Sequence, residues 1–375
     1  MESMGNLLAW SVVAVGLASW AVYYRLRVRR QPRLDYHPSP FNQALLPAVS
    51  RLQRPYAPTP WLANAHLQLT WLVLSEAWAR PLRYERTDVV RMRDGGQTSL
   101  DWIGLDDDAA TPTLVVLPSI TGDAQSTRLL VRDLRRATGW RVVVCTRRGH
   151  GALALTAPVF NTMGCTQDLR EQLARIHESL PESPLYGIGV SAGSALLVRY
   201  LGEAGADSAL RAGVAYCPGY DISVAWARVT PFYSRLMTRR LKRQFLRRHA
   251  QVLAPLESYD ACLATEDLEG FHANLYQLAG CSDPADYLAR SNPMHVFARA
   301  AVPVMVLNAD DDPVCVEANA RDHVEAIRAI PDALVVRTAR GSHCAFFEGW
   351  WPRSWAHRLI AEYLLAAAKL QGKAT

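Results

Sequence analysis

The sequence predicts an α/β protein with a mostly parallel β-sheet, helices on both faces of the sheet and an inserted helical cap. From about residue 80 onward, short β-branched apolar runs alternate with longer stretches of helical spacing, which is typical of parallel strands buried on both faces. One stretch, 219–295, breaks this alternation and is expected to be the insertion. The predicted strands are Leu114–Leu117, Arg141–Cys145, Leu185–Gly189, Gly213–Cys217, Val302–Leu307 and Ala333–Thr338.

The composition is that of a folded chain. Of the 375 residues, 50% are hydrophobic and 20% are charged, which excludes an intrinsically disordered protein. The 41 Lys and Arg outnumber the 35 Asp and Glu, and a basic chain suggests an anionic partner such as nucleic acid or a membrane. However, basic residues concentrate in two stretches without an acid, 25–33 and 228–248, and the rest is mildly acidic. We therefore expect no nucleic-acid partner.

An uncharged apolar segment lies near the N-terminus. As a helix, Leu7–Tyr24 would extend about 27 Å at 1.5 Å per residue, close to the roughly 30 Å of a bilayer core. Only Glu2 precedes it, whereas a signal peptide begins with basic residues. We expect one N-terminal transmembrane helix, with arginines behind it that favour a cytoplasmic body. A cleaved signal peptide and a lumenal body remain alternatives.

The chain is expected to divide into four parts. Residues 1–30 form the membrane anchor, and 31–80 form a lead-in segment with Pro and Trp. Segments 81–218 and 296–370 form the α/β core, and 219–295 form the cap. The seven Cys are scattered without a C-x-x-C pair, so neither a disulfide framework nor a metal site is expected.

Gly189-Val190-Ser191-Ala192-Gly193 matches the G-x-S-x-G pattern of a nucleophile elbow. The pentapeptide follows the apolar run LYGIG and precedes SALLVRYL, which has helical spacing. A sharp turn between a strand and a helix exposes the serine oxygen, and the flanking glycines allow the backbone to bend tightly. Ser191 is therefore the candidate nucleophile.

A serine nucleophile needs a base that is oriented by a carboxylate, in the chain order Ser, acid, His for this kind of elbow. Asp312 is the preferred acid because it follows the predicted strand ending at Leu307 and precedes a proline, and Asp311 is the alternative. His343 follows the next predicted strand and is the candidate general base. His150 is expected to support the site from its loop.

The negative charge that develops on a substrate carbonyl requires two backbone N–H donors. The residue after the nucleophile, Ala192, supplies one of them in this type of site. The second comes from the loop after an early strand, here 118–122, and Ile120 is the predicted donor. Triad chemistry of this kind implies no metal and no organic cofactor.

Taken together, these residues resemble the AB-hydrolase 4 family, a branch of the α/β-hydrolases that contains membrane-anchored esterases and lipases. The resemblance extends from about residue 40 to 365. Its loop PSITGD replaces the usual PGLTG, His150 stands where relatives often have Cys, and Ser342 replaces a common Gly. The matching residues are Pro58–Leu62, Asn64, His66–Gln68, Asp94–Gly96, Leu100–Trp102, Asn161, Gly164, Thr166, Asp168–Leu169, the elbow, Asn308–Pro313 and Gly341–Gly349.

The resemblance implies an α/β-hydrolase fold and carboxylic ester hydrolysis through an acyl-enzyme, with acylglycerols, phospholipids or short-chain esters as substrates. An alcohol O-acyltransferase is the first alternative, because an alcohol can replace water in the second step. The acyltransferase pattern H-x4-D is absent after His343. A non-catalytic membrane scaffold is the second alternative, and the intact Ser, Asp and His argue against it.

The basic stretch within the cap has apolar residues at helical spacing. Tyr233, Leu241 and Phe245 fall on one side of a predicted helix, and arginines fall on the other. A basic amphipathic helix can lie on an anionic membrane. Alternatively, the apolar side packs against the protein and the arginines are solvated.

Overall fold

The computed structural model describes residues 2–372, with side chains from residue 10 onward, and is built on a nine-stranded sheet. The strands run in the order β1-β9-β8-β7-β6-β4-β5-β3-β2, and β10 and β11 form a small separate hairpin. Their bounds are β1 Arg33–Tyr36, β2 Arg86–Arg91, β3 Gln97–Ile103, β4 Thr113–Leu117, β5 Arg141–Thr146, β6 Leu185–Val190, β7 Leu210–Tyr216, β8 Val304–Ala309, β9 Ala333–Thr338, β10 Phe347–Glu348 and β11 Arg353–Ser354.

The centre of the sheet is parallel and its edges are antiparallel. Strands β4 to β9 pair in parallel, whereas β1 pairs antiparallel with β9, and β3 pairs antiparallel with both β5 and β2. All six predicted strands overlap strands of the parallel centre, so the predicted mostly parallel sheet is confirmed. The sequence did not predict β1 and β2, because strands that are half exposed lack the continuous apolar runs of buried parallel strands. It did not predict β3 either, which is buried but contains polar residues such as Ser99 and Asp101.

Helices cover both faces of the sheet. Successive residues of β4 point to opposite sides, with Leu114 and Val116 in one apolar cluster and Val115 and Leu117 in the other. The first cluster includes residues of α2, α4 and α14, and the second includes residues of α5, α6 and α13. The helices are α1 Glu2–Tyr23, α2 Pro40–Ala48, α3 Ala65–Trp78, α4 Arg128–Thr138, α5 Thr166–Ser179, α6 Ala192–Ala204, α7 Ile222–Arg228, α8 Pro231–Leu241, α9 Ala250–Leu253, α10 Tyr259–Ala264, α11 Leu268–Ala273, α12 Pro284–Ser291, α13 Glu317–Arg328 and α14 Trp355–Gln371.

The chain between β7 and β8 contains the short helices α7 to α12, which pack around a third apolar cluster. The basic helix α8 continues as a π-helical segment to Leu246. Leu241 and Phe245 are buried in the cluster, and Arg239 and Arg243 are exposed. The apolar side of this helix therefore packs against the protein, as the second interpretation predicts, although Phe232 near the start of the helix is exposed.

The predicted transmembrane helix is not supported. Among the residues that the structure describes, no helix is both long enough and apolar enough to cross a membrane. The predicted segment Leu7–Tyr24 begins among residues whose side chains are not described.

Candidate functional site

Ser191 lies in the turn between β6 and α6, with φ of 53° and ψ of −116°. A positive φ is uncommon for a residue with a Cβ and persists only where the surroundings enforce it. The two flanking glycines are required by close approach, since a Cβ on Gly189 would lie 2.2 Å from the Gly193 carbonyl oxygen. A Cβ on Gly193 would lie 2.1 Å from the carbonyl oxygen of Leu117. The turn therefore has the backbone shape that the elbow pattern predicts.

The three predicted triad side chains meet at the carboxyl edge of the sheet. The Nε2 atom of His343 lies 2.8 Å from Ser191 Oγ, and its Nδ1 atom lies 2.9 Å from Asp312 Oδ2. Asp312 follows β8 and His343 follows β9, so parallel neighbouring strands bring these side chains to one place. The second carboxylate oxygen of Asp312 accepts hydrogen bonds from the backbone N–H groups of Val314 and Cys315. These bonds fix the carboxylate with Oδ2 toward the imidazole.

The neighbouring Asp311 has a different environment. Its carboxylate lies 3.5 Å from the Arg340 guanidinium and makes no hydrogen bond with His343 among the contacts of the described residues. Burial raises the pKa of Asp311 to about 7, against the lowering effect of Arg340. Of the two candidate acids, Asp312 is the one that contacts His343.

Burial by itself would lower the pKa of His343, but the Asp312 carboxylate and the Cys315 thiol raise this pKa well above its usual value. The imidazolium form is thus stabilised inside the protein, where its charge is paired with a carboxylate at 2.9 Å. A base with such an environment takes up a proton from a nearby hydroxyl more readily. Ser191 Oγ is the hydroxyl within reach.

A narrow apolar pocket opens beside Ser191. Its inner wall comes from the core, with Ile120 and Ala192 bordering the serine. Its outer wall comes from α7 and α8, with Trp226 and Met237 facing the cavity. The apolar side chains that line the pocket suit contact with a hydrocarbon chain next to Ser191. The remaining lining residues are Met163, Ala195, Gly219, Tyr220, Ile222, Ala225, Val229, Val314, Cys315 and Asn319.

The loop that contains Ile120 is held by the segment after β5. The Arg147 guanidinium donates hydrogen bonds to the carbonyls of Pro118 and Ser119. The His150 Nε2 atom lies 3.0 Å from the carbonyl oxygen of Ile120. Burial, aided by Arg147, lowers the pKa of His150 to about 3, so the ring is neutral. The predicted supporting position of His150 agrees with these contacts, whereas Arg147 was not recognised from the sequence.

Residues 110–349 match the Hydrolase_4 family, which is described as serine aminopeptidase, S33. The chain belongs to this family. The predicted relationship to the AB-hydrolases is therefore confirmed.

Named relatives and solved structures are also similar to this AB-hydrolase. Phospholipase ABHD3 of Bos taurus is 26% identical over 96% of this chain and 90% of its own length. Embryogenesis-associated protein EMB8 of Picea glauca is 26% identical over 88% and 76%, and monoacylglycerol lipase ABHD2 of Mus musculus is 25% identical over 88% and 84%. An esterase of Pyrobaculum calidifontis shares the fold, with a TM-score of 0.50, 16% identity and coverage of 81% and 90%.

In this AB-hydrolase, residues of the lead-in hold the segment that follows His343. The buried Gln68 accepts a hydrogen bond from the N–H of Phe347, and Tyr56 donates one to the carbonyl of the same residue. The backbone N–H of Thr59 donates to that carbonyl as well. Thr59 and Gln68 fall within the family-like motifs, and Tyr56 was not recognised from the sequence. The signal in the sequence is a polar residue within an apolar stretch, such as Gln68 in α3, because a buried polar side chain needs a hydrogen-bond partner.

A second brace lies beneath the loop after β5. The Arg148 guanidinium forms a bidentate pair with Asp168 and a further hydrogen bond with Asp94. Both carboxylates belong to family-like motifs, so these motif residues have a structural explanation here. Removing Arg148 would leave the largely buried Asp168 carboxylate uncompensated, and such a loss typically costs about 3–5 kcal/mol.

Cysteine side chains lie close to His343. The possible ligand atoms of Cys217, His343 and Cys344 lie within 4.8 Å of one another, and so do those of Asp312, Cys315 and His343. These are the groups in the described part of the chain with the composition of a metal site. No metal signature was recognised from the sequence, because Cys217 and Cys344 are far apart along the chain.

Proposed function

We propose that this AB-hydrolase is a carboxylic ester hydrolase that acts through an acyl-enzyme on Ser191. The observation that carries the proposal is the continuous contact from Ser191 through His343 to Asp312, placed at the mouth of an apolar pocket. The names of the relatives, a phospholipase and a monoacylglycerol lipase, agree with this reaction class.

In the proposed reaction, Ser191 Oγ attacks the ester carbonyl and transfers its proton to Nε2 of His343. Asp312 holds the ring and stabilises the imidazolium that forms. The N–H groups of Ala192 and Ile120 stabilise the carbonyl oxyanion. His343 then returns the proton to the departing alkoxide. In the second step a water molecule gives a proton to His343 and attacks the acyl-enzyme, and His343 returns this proton to Ser191 Oγ as the acid leaves.

The pocket favours an acyl ester over a peptide. An aminopeptidase must bind the positively charged α-amino group of its substrate, for which an acidic side chain is the natural partner. None of the described residues that line the pocket is Asp or Glu. The apolar walls suit the acyl chain of an acylglycerol or a phospholipid, and short-chain esters also fit such a pocket.

The insertion 219–295 is proposed to act as a cap on the core segments 81–218 and 296–370. Helices α7 and α8 provide Trp226, Val229 and Met237 to the pocket wall. The lead-in 31–80 contributes the brace on Phe347. Helix α3 of the lead-in touches the cap where His66 Nδ1 lies 2.7 Å from the Tyr233 hydroxyl.

A lipid surface is the proposed source of substrate. Exposed aromatic side chains lie on the 3-10 turn Pro60–Leu62, on α3 and α8 and in the loop after β10. We name Trp61, Trp78, Phe232, Trp350 and Trp351 the aromatic rim. Three members of the rim are joined, because Trp61 Nε1 donates to the Trp350 carbonyl and Trp71 packs between Trp61 and Trp78.

Further features of the chain support contact with lipid. Trp10 and Trp20 of α1 are exposed on the apolar helix before the first basic stretch, and arginines of α8 lie near Phe232 along the same helix. Aromatic rings favour the headgroup region, and arginines favour anionic lipid. Anionic lipid is characteristic of cytoplasmic leaflets, which agrees with a cytoplasmic body.

The experiment that tests the proposed function combines covalent labelling with hydrolysis. We expect the purified protein to react with a fluorophosphonate probe and to hydrolyse p-nitrophenyl and monoacylglycerol esters. Ser191→Ala is expected to lose labelling and to lower kcat by about a thousandfold or more, because the nucleophile is absent.

Ser282→Ala removes an exposed hydroxyl of the insertion and is the matched control. It should keep both properties. Equal labelling of the wild-type protein and Ser191→Ala would refute the proposed nucleophile, and an absence of ester hydrolysis by labelled protein would refute the substrate class.

A further inference from the structure

The side chains behind the catalytic histidine include two thiols at metal-binding distance. Cys217 directly follows β7, and Cys344 directly follows His343. The sulfur atoms of both residues and a ring nitrogen of His343 lie within 4.8 Å of one another. We propose that Cys217, His343 and Cys344 form a binding site for a soft divalent metal ion such as Zn²⁺, and that occupation of this site switches the triad off.

The dimensions of the cluster suit Zn²⁺. Thiolate and imidazole are the preferred ligands of this ion, with Zn–S distances of about 2.3 Å and tetrahedral geometry. Two thiolates on one tetrahedral ion are therefore about 3.8 Å apart. Ligand atoms that already lie within 4.8 Å need to move by no more than about 1 Å to close around the ion.

The thiols have only weak partners to give up. Cys217 Sγ accepts from the N–H of Cys344 at 3.2 Å, and Cys344 Sγ lies 3.9 Å from the carbonyl oxygen of Tyr216. Hydrogen bonds of sulfur are weaker than those of oxygen or nitrogen. Binding Zn²⁺ as two thiolates releases two protons to solvent and leaves the ion and its sulfur ligands without net charge, which suits a buried position.

The backbone holds both cysteines in a rare conformation. Cys217 has φ of 54° and Cys344 has φ of 56°, in the left-handed region that favours glycine. Their positions are therefore set by the surrounding structure and not by local preference. The site is thus already assembled before an ion arrives.

An ion can reach the site without passing through the acyl pocket. Cys344 lines a second surface pocket together with Trp71, Ser75 and His357. Ser191 lines the acyl pocket instead. Cys344 is therefore the ligand that faces this second pocket.

Metal binding at this place is incompatible with the triad hydrogen bonds. One ring nitrogen of His343 contacts Asp312 and the other contacts Ser191. An ion that binds either nitrogen replaces one of these contacts and removes the ring from proton transfer. This loss of activity rests on the proposed function, whereas the binding itself does not.

The second cluster, Asp312 with Cys315 and His343, is the weaker candidate. It offers one thiol, and Asp312 already accepts two backbone hydrogen bonds and contacts His343. A soft ion prefers the set with two thiolates. Cys315 therefore distinguishes the two ligand sets in an experiment.

The test is a titration of the reduced, full-length protein with Co²⁺, a spectroscopic substitute for Zn²⁺. We expect one equivalent of Co²⁺ to produce thiolate-to-cobalt charge-transfer absorption, which Zn²⁺ then abolishes by displacement. Cys217→Ala and Cys344→Ala should each weaken Co²⁺ binding by about a hundredfold or more, because each variant lacks one of the proposed thiolate ligands. Cys262→Ala removes a buried thiol outside the cluster and should leave the titration unchanged.

Two further measurements keep the inference independent of folding defects and of the reaction. Zn²⁺ should protect Cys344 of the wild-type protein from alkylation, as measured by mass spectrometry. Ser191→Ala should bind Co²⁺ like the wild type, although it lacks the nucleophile. Esterase activity of the wild type should fall by about a hundredfold at one bound equivalent and return with a chelator.

The outcomes separate clearly. An absence of charge-transfer absorption, or absorption that survives in both Cys217→Ala and Cys344→Ala, overturns the site. Loss of absorption in Cys315→Ala alone assigns the ion to the second cluster and overturns the ligand set. Binding in a protein without esterase activity would refute the proposed function and leave the metal site standing.

Discussion

At the scale of single residues, two adjacent aspartates have opposite roles because their oxygens have different partners. Asp312 is buried, accepts two backbone hydrogen bonds and contacts His343. Asp311 pairs with Arg340, and burial raises its pKa to about 7. Two adjacent positions thus have different properties. The Asp312 carboxylate contacts His343, whereas ionisation of Asp311 in the folded protein lowers the free energy of unfolding.

Asp312→Asn is expected to lower kcat by about a thousandfold or more, because a neutral amide cannot stabilise the imidazolium. His343 accepts a proton only as the neutral base, and its pKa lies well above 6.5. In the wild type, kcat/KM should therefore fall as the pH decreases through a value above 6.5. Asp312→Asn should move this limb to lower pH in a pH–rate profile.

Asp311→Asn is the matched variant, and its activity should stay near that of the wild type. The folded pKa of about 7 lies above the unfolded value, so this group supports folding fully at acidic pH and loses that contribution as the pH rises through 7. Asp311→Asn should therefore raise the free energy of unfolding by about 1–2 kcal/mol at pH 8 and less at pH 4. A larger loss of activity in Asp311→Asn than in Asp312→Asn would contradict the assignment.

At the scale of elements, the insertion supplies one side of the pocket and the parallel strands supply the other. Trp226 of α7 lines the pocket and stacks on His272 of α11, with ring centroids 3.8 Å apart. This stack joins two helices of the insertion. The volume that is available to an acyl chain therefore depends on how the insertion helices pack.

Trp226→Ala is expected to enlarge the pocket and to shift preference toward longer acyl chains. The ratio of kcat/KM for p-nitrophenyl dodecanoate to that for the butanoate should rise by about tenfold, the effect of one or two methylene contacts. Val224→Ala, on the same helix but outside the pocket lining, is the control. An unchanged ratio in Trp226→Ala, or an equal change in both variants, would argue against acyl binding in this pocket.

At the scale of the whole molecule, positive charge and exposed aromatic side chains lie close together. Phe232 and Arg235 are exposed on the same helix, and His66 links this helix to the tryptophans of α3. Trp350 joins the aromatic rim through its carbonyl. A surface of this composition suits the boundary between headgroups and acyl chains.

Replacing Phe232 or Trp350 with Ser is expected to weaken binding to vesicles that contain phosphatidylserine by about tenfold each, because each buried ring contributes about 1.5 kcal/mol or more. Replacing Arg239 and Arg243 with Gln should make vesicle binding less sensitive to the salt concentration. Sedimentation with vesicles measures both effects, and hydrolysis of a soluble ester should change little.

Val89→Ser removes an exposed apolar side chain on β2, outside the rim, and should not affect vesicle binding. If the rim variants sediment with vesicles as fully as the wild type does, the proposed lipid surface is wrong.

Much of the architecture follows from local patterns. Continuous apolar runs predicted the parallel strands, and G-x-S-x-G predicted the turn at Ser191, because both signals are contained in a few adjacent residues. The half-exposed strand β2, the buried but partly polar strand β3 and the brace of Tyr56 on Phe347 were missed. The two strands lack continuous apolar runs, and the partner of Tyr56 is distant in the chain, so no local pattern indicates them.

Periodicity and chain order in the sequence were sufficient to identify the α/β class, the family and the candidates Ser191, Asp312 and His343. The three-dimensional structure was needed to show that Asp312 contacts His343 and that Asp311 pairs with Arg340. It also brought Cys217 beside Cys344. The physical reason is that parallel strands gather their carboxyl ends at one edge of the sheet, where residues far apart in sequence become neighbours.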